Sequence, residues 1–431
     1  MFVPDAMRDA VSDRAWIAAM LEFEAALASA QARAGVVPVE AAEAIAAASR
    51  AERFDPAALG RQGRSGGNPA APLVKALTEA VEGDTAGYVH RGATSQDVMD
   101  TASMVVARRA LALIGEELDS LAAACARLAD EHRGTVMPAR TLLQQALPTT
   151  FGLKAAGWLV AVLDAHRRLA ALPLAVELGG AAGTLASLGP EGPRVLAFLA
   201  EELGLDEPTL PWHSSRARVA GLGAALALTA GVVEKVARDV VLLAQTEVGE
   251  VAEPAGKGAS STLPHKRNPA GSALAIASAR RVRGEASILL DGMAQEHERA
   301  AGAWQAEWEA LGGALAYTGG AAAAAGEVLD GLEVRPERMR ENLEATGGLV
   351  FAEAVSTTLG ERTGRGEAHR RVEATARRAA ETQRPFRDEL LDDPDIELTP
   401  EEIDRALDPT GYLGSAEVLV ERALERYREE R

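Results

Sequence analysis

Cysteine is nearly missing from this chain. One thiol, Cys125, stands among 431 residues, so an intrachain disulfide is excluded and no zinc-type ligand spacing is present. Aromatic residues are scarce too, at 4%, whereas the set AVILMFWYC reaches 47%. That balance favours helices rich in alanine and leucine over strands filled with valine, tyrosine and phenylalanine, so an all-α fold is expected. Positive charge is in deficit. With 45 Lys and Arg against 63 Asp and Glu, the net charge of −18 argues against nucleic acid and anionic membranes as partners. The start, MFVPDAMRDA, lacks a basic segment followed by an apolar run, and the end, ALERYREER, carries no anchor motif, so a cytoplasmic location is expected. The uncharged stretches 219–233 and 310–326 fall short of the ~20 strongly apolar residues of a membrane span and read as buried bundle helices.

What is present is long-range helical periodicity. Leu111, Ile114, Leu118, Leu121, Cys125 and Leu128 recur at spacings of three and four, which puts the lone thiol in a packing stripe. A second run extends from Arg216 to about residue 252, with Val219, Leu222, Leu226, Val233, Val236, Val240 and Leu243 on one broad face. Helices of that length without internal proline belong to bundles, often ones shared between subunits. Gly/Pro-rich punctuation at 60–72, 179–193 and 253–269, and an acidic Pro-bearing stretch at 394–409, separate the helical blocks. The boundaries drawn from it are an N-terminal helical domain 1–101, a central long-helix bundle 102–343 and a C-terminal helical domain 344–431.

Four segments carry chemistry. Residues 259–269, ASSTLPHKRNP, set Ser260 and Ser261 beside His265, Lys266 and Asn268, after Gly256 and Gly258 and between Pro264 and Pro269. Two hydroxyls, a compact cation and an amide within nine residues suit an anionic intermediate. Residues 90–97, HRGATSQD, precede a helix expected to begin near Val98; its first N–H groups, with the Thr94 and Ser95 hydroxyls, can hold a carboxylate, and Asp97 can cap. The third segment, 140–150, reads RTLLQQALPTT, and the fourth, 295–308, places Trp304 and Trp308 four apart, a spacing that packing explains by default. Glu247, Glu250 and Glu253 read as a solvated helix side and His213 as a cap or packing residue, so no metal and no cofactor is expected. Arg91, Arg140, Arg216, Arg218 and Arg299 are candidate partners for substrate carboxylates.

The signature run resembles that of the fumarase/aspartase superfamily, Gly-Ser-Ser-x-Met-Pro-x-Lys-x-Asn-Pro, with Ala259 and Leu263 as departures. HRGATSQD matches the superfamily block His-x-Gly-x-Thr-Ser-x-Asp, and 140–150 resembles Arg-Thr-His-x-Gln-x-Ala-x-Pro-Thr-Thr. The stretches Leu153–Trp158, Trp212–Arg216, His297–Trp308 and Leu407–Gly414 narrow the likeness to the bacterial 3-carboxy-cis,cis-muconate cycloisomerases. The resemblance implies three helical domains, a homotetramer whose long central helices form one bundle, and active sites that draw loops from several subunits. It implies that Ser260 moves the proton at carbon, that Lys266 and Asn268 hold the enediolate, and that His90, Arg91, Thr94, Ser95, Arg140, Gln144, Ser261, His265 and Arg299 bind a small tricarboxylate.

One departure bears on the reaction. Where many relatives place a histidine stands Leu142, and where its glutamate partner would follow the signature loop stands Ala273. Expelling an amine or hydroxide needs a proton donor, but a carboxylate, with a conjugate-acid pKa near ~4, leaves without one. The reverse step is an internal carboxylate closing onto an alkene, as in lactone formation. The expected activity is closure of 3-carboxy-cis,cis-muconate to 4-carboxymuconolactone. Its rivals are an adenylosuccinate-lyase-like enzyme that breaks a C–N bond to release fumarate, and a noncatalytic structural relative.

Overall fold

The computed structural model describes residues 2–254, 258, 263 and 266–430. Helices account for nearly all of its regular structure, and the strands among these residues form two antiparallel pairs, so the fold is all-α. The chain divides into two compact units. One comprises Met1–Asp119, Asp164–Glu234 and Leu274–Ala324; the other comprises Ser120–Leu163, Lys235–Ala273 and Ala325–Arg431.

In the first unit, the helix Asp13–Arg33 starts where the Ser12 hydroxyl accepts the Ala15 N–H, satisfying one of the donors a helix start leaves open. It packs against Val39–Ala48 and Gly192–Leu203 through Met20, Phe23 and Leu27. Glu24 and Gln31 lie on the same buried face, which is unusual for such groups and foreshadows a positioning role.

The helix Ser95–Glu131 runs 37 residues. It begins three residues before the expected position, and its stripe of Ile114, Leu118, Leu121, Cys125 and Leu128 is buried. Burial pushes the Cys125 thiol far above its ordinary range, which fits packing rather than reactivity. Helix Ala217–Leu243 buries Val219, Leu222, Leu226, Val233, Val236 and Val240. Its length and mean hydropathy of 1.6 would let it cross a membrane, but 61% of its most apolar window is buried within the fold, as in a core helix.

That helix ends at Leu243, nine residues short of expectation. The chain then turns, with Gly249 at φ 64 and its N–H on the Gln245 carbonyl, and pairs Val251–Ala252 with Glu333–Val334. Glu250 and Glu253 therefore lie beyond the helix and are 0% and 5% exposed, so the expected solvated face does not form there. Glu253 instead accepts the Gly271 and Ser272 N–H groups at 2.9 and 2.8 Å and caps Ala270–Asp291. Also in the second unit, Ala352–Thr363 and Arg365–Thr382 pack with Phe386, Leu390 and Ile403 into a C-terminal core.

Candidate active site

The sequence candidates divide between the two units. Within the first, His90 takes φ 59, a left-handed value that a side chain resists, and is held there by a 2.7 Å contact of its Nδ1 with Glu24. Gln31 donates to the Arg91 carbonyl at 2.6 Å, so two buried polar groups of one helix fix the His90–Arg91 bend. Burial lowers the His90 pKa, but the hydrogen bond His90 donates to Glu24 and the charges of Glu24 and Asp97 outweigh it and leave the pKa raised. Arg91 is exposed beside Tyr88.

Asp97, fully buried, is the hub. Its Oδ2 accepts the Thr94 and Gly180 N–H groups at 2.8 and 3.0 Å, and its Oδ1 accepts the Gly179 N–H at 2.9 Å and meets His213 Nε2 at 2.6 Å. The capping role read for Asp97 is present and extends to a second loop. Arg299 joins the same two loops, donating to Thr94 Oγ1 at 3.0 Å and to the Ala181 carbonyl at 3.2 Å. Its buried Nε has no acceptor among the described residues. Ser95 opens the helix and is half-buried.

His213 is buried and charge-facing rather than a simple packing residue. With Asp97 and Glu177 it forms a grouping of ligand-type atoms within 4.8 Å of one another, the sort of set that can hold a metal. The donors argue for a proton network instead: Asp97 already faces four, and burial, with the charges of Asp97 and Asp100, pushes Glu177 up to about 9, so it is neutral at pH 7. Deeper still, Arg216 is clamped by Asp100 at 2.7 and 3.0 Å and by Glu307 at 2.5 Å. Trp304 donates to Asp100 at 3.0 Å and stacks edge-on with Trp308. Arg216 is thus a structural cation, not the free carboxylate partner it was read as.

In the second unit, Val136–Thr141 and Gln144–Thr150 form a hairpin with Thr141 opposite Gln144, so Leu142 and Leu143 make a two-residue tip. Both have positive φ, 51 and 66, in a turn that asparagine and glycine suit best. They are 97% and 72% exposed, and Gln144 beside them is exposed as well. Arg140 does not present a free fork: its terminal nitrogens bind Glu250 at 2.9 and 2.6 Å, and Asn342 adds a donor to the same carboxylate. Lys154, in the first turn of Phe151–Ala170, has its pKa lowered chiefly by burial.

Of the signature loop, Lys266 is exposed, and Asn268 donates from its side chain to the Gly258 carbonyl at 3.0 Å. Gly258 sits at φ 68, where a Cβ would collide with the Asn268 carbonyl, so the glycine read as permissive is required. Ser260, Ser261 and His265 lie outside the described residues. Sequence reading missed Glu24, Gln31, Glu177, Asp100 and Glu307. For the first two a signal existed: Ile17, Met20, Glu24, Leu27 and Gln31 follow the same three-four spacing as the apolar face.

A family model described as "Lyase" matches residues 3–284, and one described as "Adenylosuccinate lyase C-terminus" matches 348–423. The chain belongs to this lyase family and is an enzyme of the fumarase/aspartase superfamily. It is 49% identical over 433 residues to the 3-carboxy-cis,cis-muconate cycloisomerase of Pseudomonas aeruginosa, covering 98% of this chain and 94% of the relative. It is also 49% identical over 432 residues to the nitrosuccinate lyase of Streptomyces davaonensis, covering 96% and 91%. The crystal structure of the 3-carboxy-cis,cis-muconate lactonizing enzyme of Pseudomonas putida superposes with a TM-score of 0.94 at 46% identity, covering 99% and 98%.

Proposed function

We propose that this enzyme closes 3-carboxy-cis,cis-muconate to 4-carboxymuconolactone, in the protocatechuate branch of aromatic breakdown. One substrate carboxylate oxygen forms a C–O bond to an alkene carbon. The π electrons move onto the neighbouring carbon and its carboxylate, giving an enediolate. Lys266 and Asn268 stabilise that charge, Ser260 gives a proton to carbon, and one proton is taken up from solvent overall. Arg299, Thr94, Ser95, His90, Arg91, Gln144, Ser261 and His265 bind the substrate. Arg140 serves through its pair with Glu250. No cofactor enters these steps.

The observation that carries this reading is the leucine at the hairpin tip. Leu142 presents an exposed hydrocarbon where related lyases use a histidine, and Ala273 removes its carboxylate partner, so an amine would leave without its acid. This disfavours adenylosuccinate cleavage. It equally permits loss of nitrite, the anion of a fairly strong acid, and the similarity to a nitrosuccinate lyase makes that the second reading.

We further propose a cytoplasmic homotetramer with three helical domains at 1–101, 102–343 and 344–431. Its support is the face of Ala217–Leu243 that carries Ala217, Gly221, Leu228 and Gly231, apolar yet exposed, with Leu228 at 55%. The test is turnover. Purified protein is given the tricarboxylic muconate, nitrosuccinate and adenylosuccinate in parallel, and product is read by NMR, nitrite release and fumarate release. Lactone formation that vanishes in Ser260→Ala while the assembly stays intact is the expected result. Nitrite release without lactone would replace this reading with the second, and near-normal loss of diene absorbance in Ser260→Ala would remove Ser260 from the chemistry.

A further inference from the structure

The Asp97 hub is not explained by helix capping. A cap needs the Thr94 N–H alone, yet Asp97 also takes the Gly179 and Gly180 N–H groups and faces His213, so one buried carboxylate ties two loops remote in sequence. Three glycines let those loops close on each other. A Cβ at Gly92 would meet Leu188 at 2.7 Å, one at Gly179 would meet the His213 ring at 2.8 Å, and one at Gly180, at φ 68, would lie 3.0 Å from the Gly92 carbonyl. Arg299 touches Thr94 on one loop and Ala181 on the other, so its guanidinium stands where their separation is set.

We propose that Asp97 and His213 are positioning residues: they hold residues 90–94 and 179–182 at the spacing that leaves Arg299 and the Thr94 N-terminal turn preformed for a substrate carboxylate. Neither touches substrate in this scheme. Asp97 acts by fixing the Thr94 backbone and the Arg299 acceptors, and His213, on the Oδ1 that also takes the Gly179 N–H, keeps the carboxylate from swinging away. Glu177 meets the same edge of the ring, with Oε1 3.5 Å from His213 Nε2 and its other oxygen on the Trp212 N–H at 2.5 Å. His213 and not Arg299 faces Asp97, so the Arg299 guanidinium is not spent on that carboxylate. Preorganisation of this kind raises affinity by removing an ordering cost at binding.

This inference rests on the carboxylate-binding reading above, and its test separates the two. Asp97→Asn turns one acceptor oxygen into a donor against N–H groups it formerly received. Gly180→Ala instead pushes on the Gly92 carbonyl with the hub intact, and so covers the case in which Asp97→Asn does not fold. The expected result in either variant is a KM for the muconate raised by about tenfold or more with kcat within about threefold, with faster hydrogen exchange at the Thr94 and Gly180 amides. A purely structural defect would lower the active fraction, hence apparent kcat, at unchanged KM. Unchanged KM in both variants overturns the proposal, with or without a fall in kcat. Should the wild type not turn over the muconate, the functional reading fails separately. Calorimetric titration with propane-1,2,3-tricarboxylate then decides the positioning claim: about tenfold weaker binding in the variants supports it, and equal or no binding overturns it.

Discussion

Replacing Arg216 by methionine should destabilise the first unit strongly at neutral pH and much less in mild acid. Arg216 is 2% exposed, and its single positive charge is shared between two buried acids. Methionine keeps most of the stem's packing but leaves Asp100 and Glu307 without their cation, a change that typically costs ~3–5 kcal/mol when one partner of a buried pair is removed. The two acids are not equally affected. Among the described residues Asp100 retains donors from Gln96 at 3.0 Å and Trp304 at 3.0 Å, while Glu307 retains Gln295 alone at 2.9 Å. Glu307 is therefore the group that takes a proton. Burial already raises its pKa against the pull of Arg216, and without that pull it rises further.

The sign follows from linkage. A carboxyl whose folded pKa lies above its unfolded value binds its proton more tightly in the folded state, so stability falls as pH climbs from the unfolded towards the folded pKa. Each pH unit inside that window changes the difference by ~1.4 kcal/mol. Between pH 7.5 and 5.5 Arg216→Met should therefore recover part of its deficit, by at most ~1.4 kcal/mol per pH unit and by more than the wild type gains through the same group. Urea midpoints at fixed subunit concentration, taken at both pH values, measure it. A deficit below about 1 kcal/mol at pH 7.5, or one that is the same at pH 5.5, would refute the claim that Arg216 is held for its buried acids.

His90, whose pKa is raised above 6.5, should keep its positive charge past the ordinary histidine range. KM for an anionic substrate should then climb as pH rises through the raised value, in the wild type but not in His90→Gln, as a KM profile from pH 6 to 9 would record. The stability its Glu24 contact gives is complete below the unfolded pKa and is lost over the same rise. Cys125, with its thiol pushed up by burial, should resist iodoacetamide in the native protein and react after unfolding in urea, which intact-mass measurement would show.

Much of the scaffold was legible in the sequence because it is written in periodicity. The stripe through Ile114 and Leu128 and the face through Val219 and Val240 are repeated hydrophobic choices, and repetition survives errors at single positions. The end of the Ala217–Leu243 helix was not legible, since residues 244–252 continue a helix-compatible composition and the stop depends on Gly249 taking φ 64 and on a strand partner some eighty residues away. The same tertiary pairing buries Glu250 and Glu253, which spacing alone reads as solvated. Candidate residues stand out where a block of polar groups is continuous in sequence, as in 90–97. They were missed where one acid stands alone in an apolar stretch, as Glu177 does between Val176 and Leu178, because its partners Trp212 and His213 arrive from elsewhere in the chain.

A chain with a net charge of −18 faces a general difficulty in binding an anion, and the first unit shows how the difficulty is met. Its acids nearest the candidate site are not withdrawn; they are paired. Glu24 is matched to His90 and Asp97 to three backbone donors and His213, so each negative charge is answered on its own side before any ligand arrives. What is left over points the other way: the Nε of Arg299, which has no acceptor among the described residues, and the Thr94 hydroxyl that Arg299 holds. In a partly desolvated pocket those few donors outweigh distant surface charge, because water and salt screen the latter over about 8 Å while the former act at contact. Anion recognition therefore depends on how completely the buried acids are paired rather than on net charge. It follows that neutralising surface glutamates would change affinity far less than removing one hydrogen bond from Asp97.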